Sequence, residues 1–448
     1  AADPTVLHPT SANAFSSWQL PSSDQVRQAA LKALQDCPPF VHLSKVDSAP
    51  QLKILDDRLT LKGGMRGYRM SRATHGVSQG QYYYELLVLP PPSVSEIVAI
   101  LPPNARLGPT LQKQIQEALE YEKRQQNASS HPTAKSTEKE EAAKENEEER
   151  TSAGGPGKKR KAEAMSEDDL NKPPPQVGGH LRVGWSLRSG DLQAPVGYDK
   201  WSYGFRNIAG SKIYQSRRED MWGGESWGPG DVIGCAIFLN PKSSQGGAAA
   251  AGPSGDGTPQ NNNHIRFFKN GEPMGHFIIT KGKREGGTAF ENIEDGTYYP
   301  AISSYLGGSV KVNFGPYFIY PPRKLPHGFG KLQPVSSLQK PPLSKQEILS
   351  RLKPSMFSRA GKTEITPEKM LQAFKEAILA ESEVLQEAHK QHKRKHLQEV
   401  FTARKERNLN VADIQQELDE MTKKEEGQVA DAVEKVLNKD SIADKMET

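Results

Sequence analysis

The chain has 448 residues, of which 35% are hydrophobic and 25% charged, with a formal net charge of +5 and a mean hydropathy of -0.70. These values exclude one uniformly apolar body and a generic polycation; they describe a folded core joined to polar segments, with function set by where charges cluster. Two cysteines, Cys37 and Cys235, exclude a disulfide framework and a four-cysteine zinc module.

Two free thiols fit a reducing compartment, and no run approaches the ~18 apolar residues of a membrane span, so a soluble intracellular protein is expected. Residues 1–38 are rich in Pro, Ser and Ala and read as a flexible arm with one short helical candidate around Gln25–Leu34. From about Pro39 the texture changes to short β-branched and aromatic runs (QLKIL, RLTL, QYYYELLVL) separated by Gly, Asp and Ser, the mark of strands. It halts near Pro90 and resumes near Gly179 with HLRVGWSL, VIGCAIFL, HIRFFK, GHFIIT, TYYPAISSYL and SVKVNFGPYFIY. Asn270–Gly271 predicts a type I′ hairpin, and strands at this spacing predict an antiparallel sandwich over 39–325.

Residues 91–178 interrupt that sandwich. LGPTLQKQIQEALEYEKRQQ has the character of one helix, but STEKEEAAKENEEER, GGPGKKRKAEAMSEDD and PPP bury too little apolar surface to offset chain entropy, so a disordered insertion is expected. A smaller flexible insertion, SSQGGAAAAGPSGDGTPQNNN, is expected between IFLN and HIRFF. Residues 343–448 form a charged helical tail. Thr366–Pro367 reads as an N-cap and first-turn proline ahead of the stripe Leu371, Phe374, Ile378, Leu385. Asn410 is a second candidate N-cap, ahead of Val411, Ile414, Leu418 and Met421; Val429, Val433, Val436 and Leu437 make a terminal stripe.

The string LRVGWSLRSGDLQAPVGYDKWSYGFR, with APQLKILDDRLT, GYRMSRATHGV, GDVIGCAIFLN, FFKNG, YYPAISSY and VNFGPYF, resembles the SPRY domain of the Ash-two family. These are core subunits of COMPASS-type complexes that methylate lysine four of histone H3. The resemblance covers both β-rich blocks and implies a mainly β, SPRY/B30.2-type antiparallel sandwich with a C-terminal helical tail. It also implies a short form without the PHD-like and winged-helix modules of animal members, since two cysteines cannot build the former.

Strand alternation in LRVGW puts Leu181, Val183 and Trp185 on one face, with Trp185 a core residue, and Arg182 on the other. By resemblance, a basic pocket of Tyr68, Arg182, Pro195, Tyr198 and Arg206 binds an acidic and aromatic segment of a WD-repeat, retinoblastoma-binding-protein-five type subunit. Two guanidinium forks each suit a carboxylate, and Tyr and Pro supply an apolar wall. A solvated arginine face is the plain alternative. The resemblance further implies a separate SET-domain methyltransferase as the activated enzyme and a Dpy-thirty type helical dimer as a second partner. Both stripes, Leu371–Leu385 and Val429–Leu437, are candidates for docking that dimer; packing of the helices on each other or on the sandwich is the structural alternative.

Lys158, Lys159, Arg160 and Lys161 read as a nuclear-localisation patch, in keeping with an expected nuclear location. His389, His392 and His396 share one helical face, but the surrounding Lys390, Lys393, Arg394, Lys395 and Arg404 disfavour a metal, leaving a solvated basic helix or contact with nucleosomal DNA phosphates. No phosphate loop, HExxH, EF-hand or GxSxG string is present, and Asp56–Asp57 reads as a turn, so no catalysis and no cofactor are expected. A peptide-capturing SPRY adaptor of another nuclear complex, a ubiquitin-ligase substrate receptor and a nucleic-acid scaffold are the alternative functions.

Overall fold

The computed structural model describes residues 22–64, 67–100, 109–130, 179–240, 262–275, 277–280, 283–323, 332–340, 342–352 and 366–443. The first β-rich block forms β1 (Leu43–Ser48), β2 (Lys53–Ile54), β3 (Thr60–Lys62), β4 (Arg69–Ala73) and β5 (Gly80–Leu89). The second opens with β6 (His180–Ser186), β7 (Ser202–Arg206), β8 (Ser211–Tyr214), β9 (Arg217–Glu219) and β10 (Val232–Leu239). It continues with β11 (His264–Lys269), β12 (Glu272–Pro273), β13 (Phe277–Thr280), β14 (Lys283–Gly286), β15 (Thr288–Glu291), β16 (Tyr299–Tyr305), β17 (Ser309–Asn313) and β18 (Gln333–Pro334).

These strands build the expected sandwich. One sheet runs β1-β4-β16-β6-β7-β8-β9, the other β12-β11-β10-β5-β17-β3-β2, with β15 beside β11 and β18 beside β5. Side-chain alternation closes the core between them: Leu181, Val183, Trp185, Tyr203, Phe205 and Ile302 meet Tyr84, Leu86, Val88, Ile233, Cys235 and Ile237. Trp185 is fully buried and lies edge-on to Tyr84, whose hydroxyl donates to Gly184 O at 2.7 Å. Asn270 and Gly271 both take positive φ, 52° and 82°, in the predicted hairpin turn. Asp57 makes the turn foreseen at DDRLT, accepting from the Leu59 and Thr60 amides.

β10 is buried along its whole length, because both faces of its sheet are covered. Its inner residues join the core, while Ala236 and Phe238 meet Tyr83, Phe268, Phe318 and Leu332 on the outer face. Val232 meets the C-terminal helices there. Those helices are α5 (Pro367–Glu406) and α6 (Ala412–Ala443), which follow α1 (Ser23–Asp36), α2 (Val94–Ile100), α3 (Pro109–Ser130) and α4 (Lys345–Arg351). Thr366 caps α5 with Pro367 in the first turn, and Asn410 Oδ1 accepts from the Ala412 amide, both as the sequence predicts. Leu397, Val400 and Ile414 are buried against Val232 and Ile319, with Leu418 and Met421 alongside.

Three expectations are corrected. The arm 1–38 is not loose throughout: Ser22 and Gln25 form a capping box, and α1 packs along α5 with an Arg27–Glu383 ion pair. Arg58 donates to the terminal carbonyls of Gln35 and Asp36, tying α1 to the sandwich. The insertion begins with folded helices, since Val94 of α2 packs on Ile115 and Ala118 of α3. The basic segment of α5 is not a solvated helix, because its histidines face the sandwich. His392 stacks on Phe40, His396 hydrogen-bonds Tyr317 O at 3.1 Å, and His389 meets the Gln339 side chain. The patch Lys158–Lys161 and all of the smaller insertion but Asn262 and Asn263 lie outside the described residues.

Candidate functional site

Chain direction alone collects a set of cations and rings on the outer face of the first sheet. Arg182 of β6 and Arg206 of β7 are directly opposite one another in the antiparallel register, and Arg182 also opposes Ser303 of β16. The guanidinium of Arg182 sits over the Tyr68 ring at 4.8 Å. Tyr68 leans on Tyr305 at 5.5 Å between centroids, and Tyr305 on His180 at 5.6 Å. One continuous row therefore runs from His180 through Tyr305, Tyr68 and Arg182 to Arg206.

The loop carrying QAPVGYDK is laid across the same face. Its Val196 amide donates to Ser303 Oγ at 2.8 Å, and the Met70 amide donates to Leu192 O. Val196 is packed on Met70 and Ala301, while Asp199 closes the loop by accepting from the Trp201 amide, Ser202 Oγ and the Asp191 amide. Two glycines make the close approach possible. Gly197 has φ +85°, and a β-carbon there would lie 2.5 Å from Ile213 O; one on Gly204 would lie 2.8 Å from Val196 O. The result is a rim on which Tyr198 is 54% exposed, with Pro195 half-buried beside it.

Electrostatically the row is unfinished. Neither Arg182 nor Arg206 has a carboxylate partner among the described residues, and the Nε atoms of both, the Tyr68 hydroxyl and His180 Nδ1 are buried without a hydrogen-bond partner. Asp220, whose field reaches Arg206, is already taken by Ser211 Oγ at 2.6 Å and Arg218 Nε at 2.8 Å. Burial pulls the Arg182 pKa below its ordinary value, with Arg206 and Arg218 adding to the effect and Tyr68 opposing it. Two like charges held side by side under partial desolvation favour an incoming anion.

The structure thus brings together Tyr68, Arg182 and Arg206, with Pro195 and Tyr198 on the adjoining loop. Sequence reasoning missed His180 and Tyr305. The signal was there: His180 is two residues before Arg182, hence on the same strand face, and its partner in the register is Tyr305.

The tail candidates divide. Ala377 and Ala380 are buried, Leu371, Ile378 and Leu385 are half-buried, and Phe374 is at the edge of exposure, on a helix that α1 and α4 both contact. On α6, Val429 is 63% exposed; the side chains of Val433, Val436 and Leu437 lie outside the described residues. In the basic run, Lys390 and Arg394 pair with Glu425, and Lys393 with Glu417. No group of metal-ligating side chains is assembled among the described residues, the three histidines included.

Two antiparallel sheets, with a glycine-dependent loop closing one outer face, define a SPRY-type domain, and the SPRY domain family model matches residues 174–241. Within that class the chain is similar to Ash2-type subunits. It is 26% identical over 304 residues, 63% of this chain, to the Set1/Ash2 histone methyltransferase complex subunit ASH2 of Drosophila melanogaster. It is 32% identical over 188 residues, 32% of this chain, to the Set1 complex component ash2 of Schizosaccharomyces pombe. The COMPASS component cclA of Colletotrichum higginsianum is 27% identical over 230 residues, 33% of this chain. The matched regions span 37%, 28% and 40% of those three relatives.

Proposed function

We propose that this chain is a non-catalytic, nuclear subunit of a Set1-type histone H3 lysine-four methyltransferase complex, holding a WD-repeat subunit through the Arg182–Arg206 pocket. The names of its relatives support the complex; the pocket is supported by one observation, two adjacent guanidinium groups without a carboxylate partner beneath an aromatic wall. An acidic and aromatic peptide answers that arrangement: carboxylates reach the forks and a ring lies on Tyr198 and Pro195. Each shielded charge-assisted hydrogen bond contributes about 1.5–3 kcal/mol, and less than about 1 where exposed. Bound in this way, the pair would favour the active conformation of a separate SET enzyme by differential binding rather than by contact with substrate.

The exposed face of α6 at Val429 is the better site for a Dpy-thirty type dimer, because the stripe from Leu371 to Leu385 shares its helix face region with α1. Arg206→Glu tests the pocket. It leaves the melting temperature within a degree or two of the parent, since the side chain is outside the core, and abolishes retention of the WD-repeat subunit in a pull-down. Unchanged retention would remove the pocket from the mechanism. Stimulation of a SET enzyme in a reconstituted mixture separates this function from that of an adaptor in another complex.

A further inference from the structure

The pocket has a side that the five expected residues do not account for. His180 and Arg182 project from the same face of β6, and Tyr305 stands opposite His180 on β16 with its ring 5.6 Å from the imidazole. Tyr305 in turn contacts Tyr68, which carries the Arg182 guanidinium on its face. His180 Nδ1 is buried and has no hydrogen-bond partner, so its bonding capacity is unspent in the free protein. We propose that His180 and Tyr305 form a third side of the pocket, with His180 a titrating contact for an acidic peptide, so that binding takes up a proton. This rests on the pocket reading given above and adds residues and a linkage to it.

The groups around the imidazole set the sign. Its own strand supplies Arg182, β7 supplies Arg206, and β16 supplies Tyr305, with Tyr68 one ring further. Arg218 of β9 adds positive field at Arg182, and Asp220, bonded through Oδ1 to Ser211 and Arg218, adds negative field at Arg206. No carboxylate is paired with this cluster among the described residues. Burial, and then the Arg206 charge, hold the His180 pKa below its ordinary value, so the ring is neutral in the free protein near pH 7. An acidic peptide reverses the second cause: its carboxylates offset the guanidinium charges and favour the imidazolium. The proton is therefore bound more tightly in the complex than in the free chain, and affinity rises as pH falls. Above pH 6 the peptide's own carboxylates stay ionised and add nothing to the change.

The test uses the full chain and a synthetic peptide of interspersed Glu, Asp and Phe, titrated calorimetrically at several pH values and in buffers of different ionisation enthalpy. The parent protein binds about three- to tenfold more tightly near pH 6 than near pH 7.5, with net proton uptake read from the buffer dependence. His180→Asn, which keeps a short polar group but cannot titrate, loses the proton uptake and flattens the pH dependence of binding. Tyr305→Ala weakens binding at every pH and more than Tyr305→Phe, which keeps the ring. Identical pH curves for the parent and His180→Asn overturn the proposal while Arg206→Glu still abolishes binding. Should Arg206→Glu bind the peptide like the parent, the pocket itself falls and the linkage with it.

Discussion

The imidazole of His392 lies flat against the ring of Phe40, with centroids 3.6 Å apart and planes 9° from parallel. This contact joins a residue of the C-terminal helix to the entry of the first β-rich block. Burial foremost, with the neighbouring His396, His389 and Lys395 charges, takes the His392 pKa down to about 4, so the ring is a neutral packing element rather than part of a cationic surface. The tail is thereby part of the folded body.

Arg404 is the buried polar anchor of that arrangement. Its Nε and Nη2 donate to Phe318 O at 2.9 and 2.7 Å, and Nη1 to Asp413 Oδ1 at 2.8 Å, linking sandwich, α5 and α6. Arg404→Ala leaves a buried carbonyl unsatisfied and is expected to cost about 2–3 kcal/mol. Amide exchange followed by mass spectrometry checks this: α5 and α6 lose protection while β5 and β10 keep theirs. Uniform loss across both would mean that the tail and the sandwich unfold as one unit.

Glu85 gives a pH dependence with a defined sign. It is fully buried on the outer side of β5 and accepts from the Ile319 and Tyr320 amides and from Asn313 Nδ2. Burial raises its pKa from 4.5 to about 7 despite those bonds and the Arg404 charge. The folded state thus holds the proton more tightly than the unfolded chain, so this group's contribution is fully present below about pH 4.5 and is lost as pH rises through 7. The buried histidines titrate in the opposite sense, so the test is a difference. The stability of Glu85→Gln relative to the parent is expected to improve by ~3 kcal/mol between pH 4.5 and 8 in denaturant titrations. A pH-independent difference would show that Glu85 is ionised throughout.

Gly197 is the loop position with least tolerance. Gly197→Ala combines a positive φ with a β-carbon 2.5 Å from the Ile213 carbonyl oxygen, at a cost of roughly 1–3 kcal/mol. Because Val196 and Tyr198 flank it, partner retention is expected to fall together with the melting temperature. Gly224→Ala is the control: its φ is also positive, but nothing lies within 4 Å of the added carbon. It should leave retention intact.

Much of this was legible in the residues. Alternation in HLRVGW separates core from surface, Asn270–Gly271 marks its hairpin, and Thr366–Pro367 and Asn410 start their helices where the caps are found. Local chemistry decides each of these. The long-range contacts were not legible. Nothing near Phe40 announces His392, and the pairing of His180 with Tyr305 depends on a strand register set more than a hundred residues away. The basic run of α5 misled for the same reason: its counter-charges, Glu417 and Glu425, belong to another helix.

The helical hairpin occupies the back of the second sheet, whereas the unpaired arginines open from the front of the first, with the full thickness of the sandwich between them. The two places are therefore separate faces of one folded body. On the proposed reading, a peptide held by the arginines and the buried helix contacts at Val232 and Ile319 would lie on opposite sides of that body.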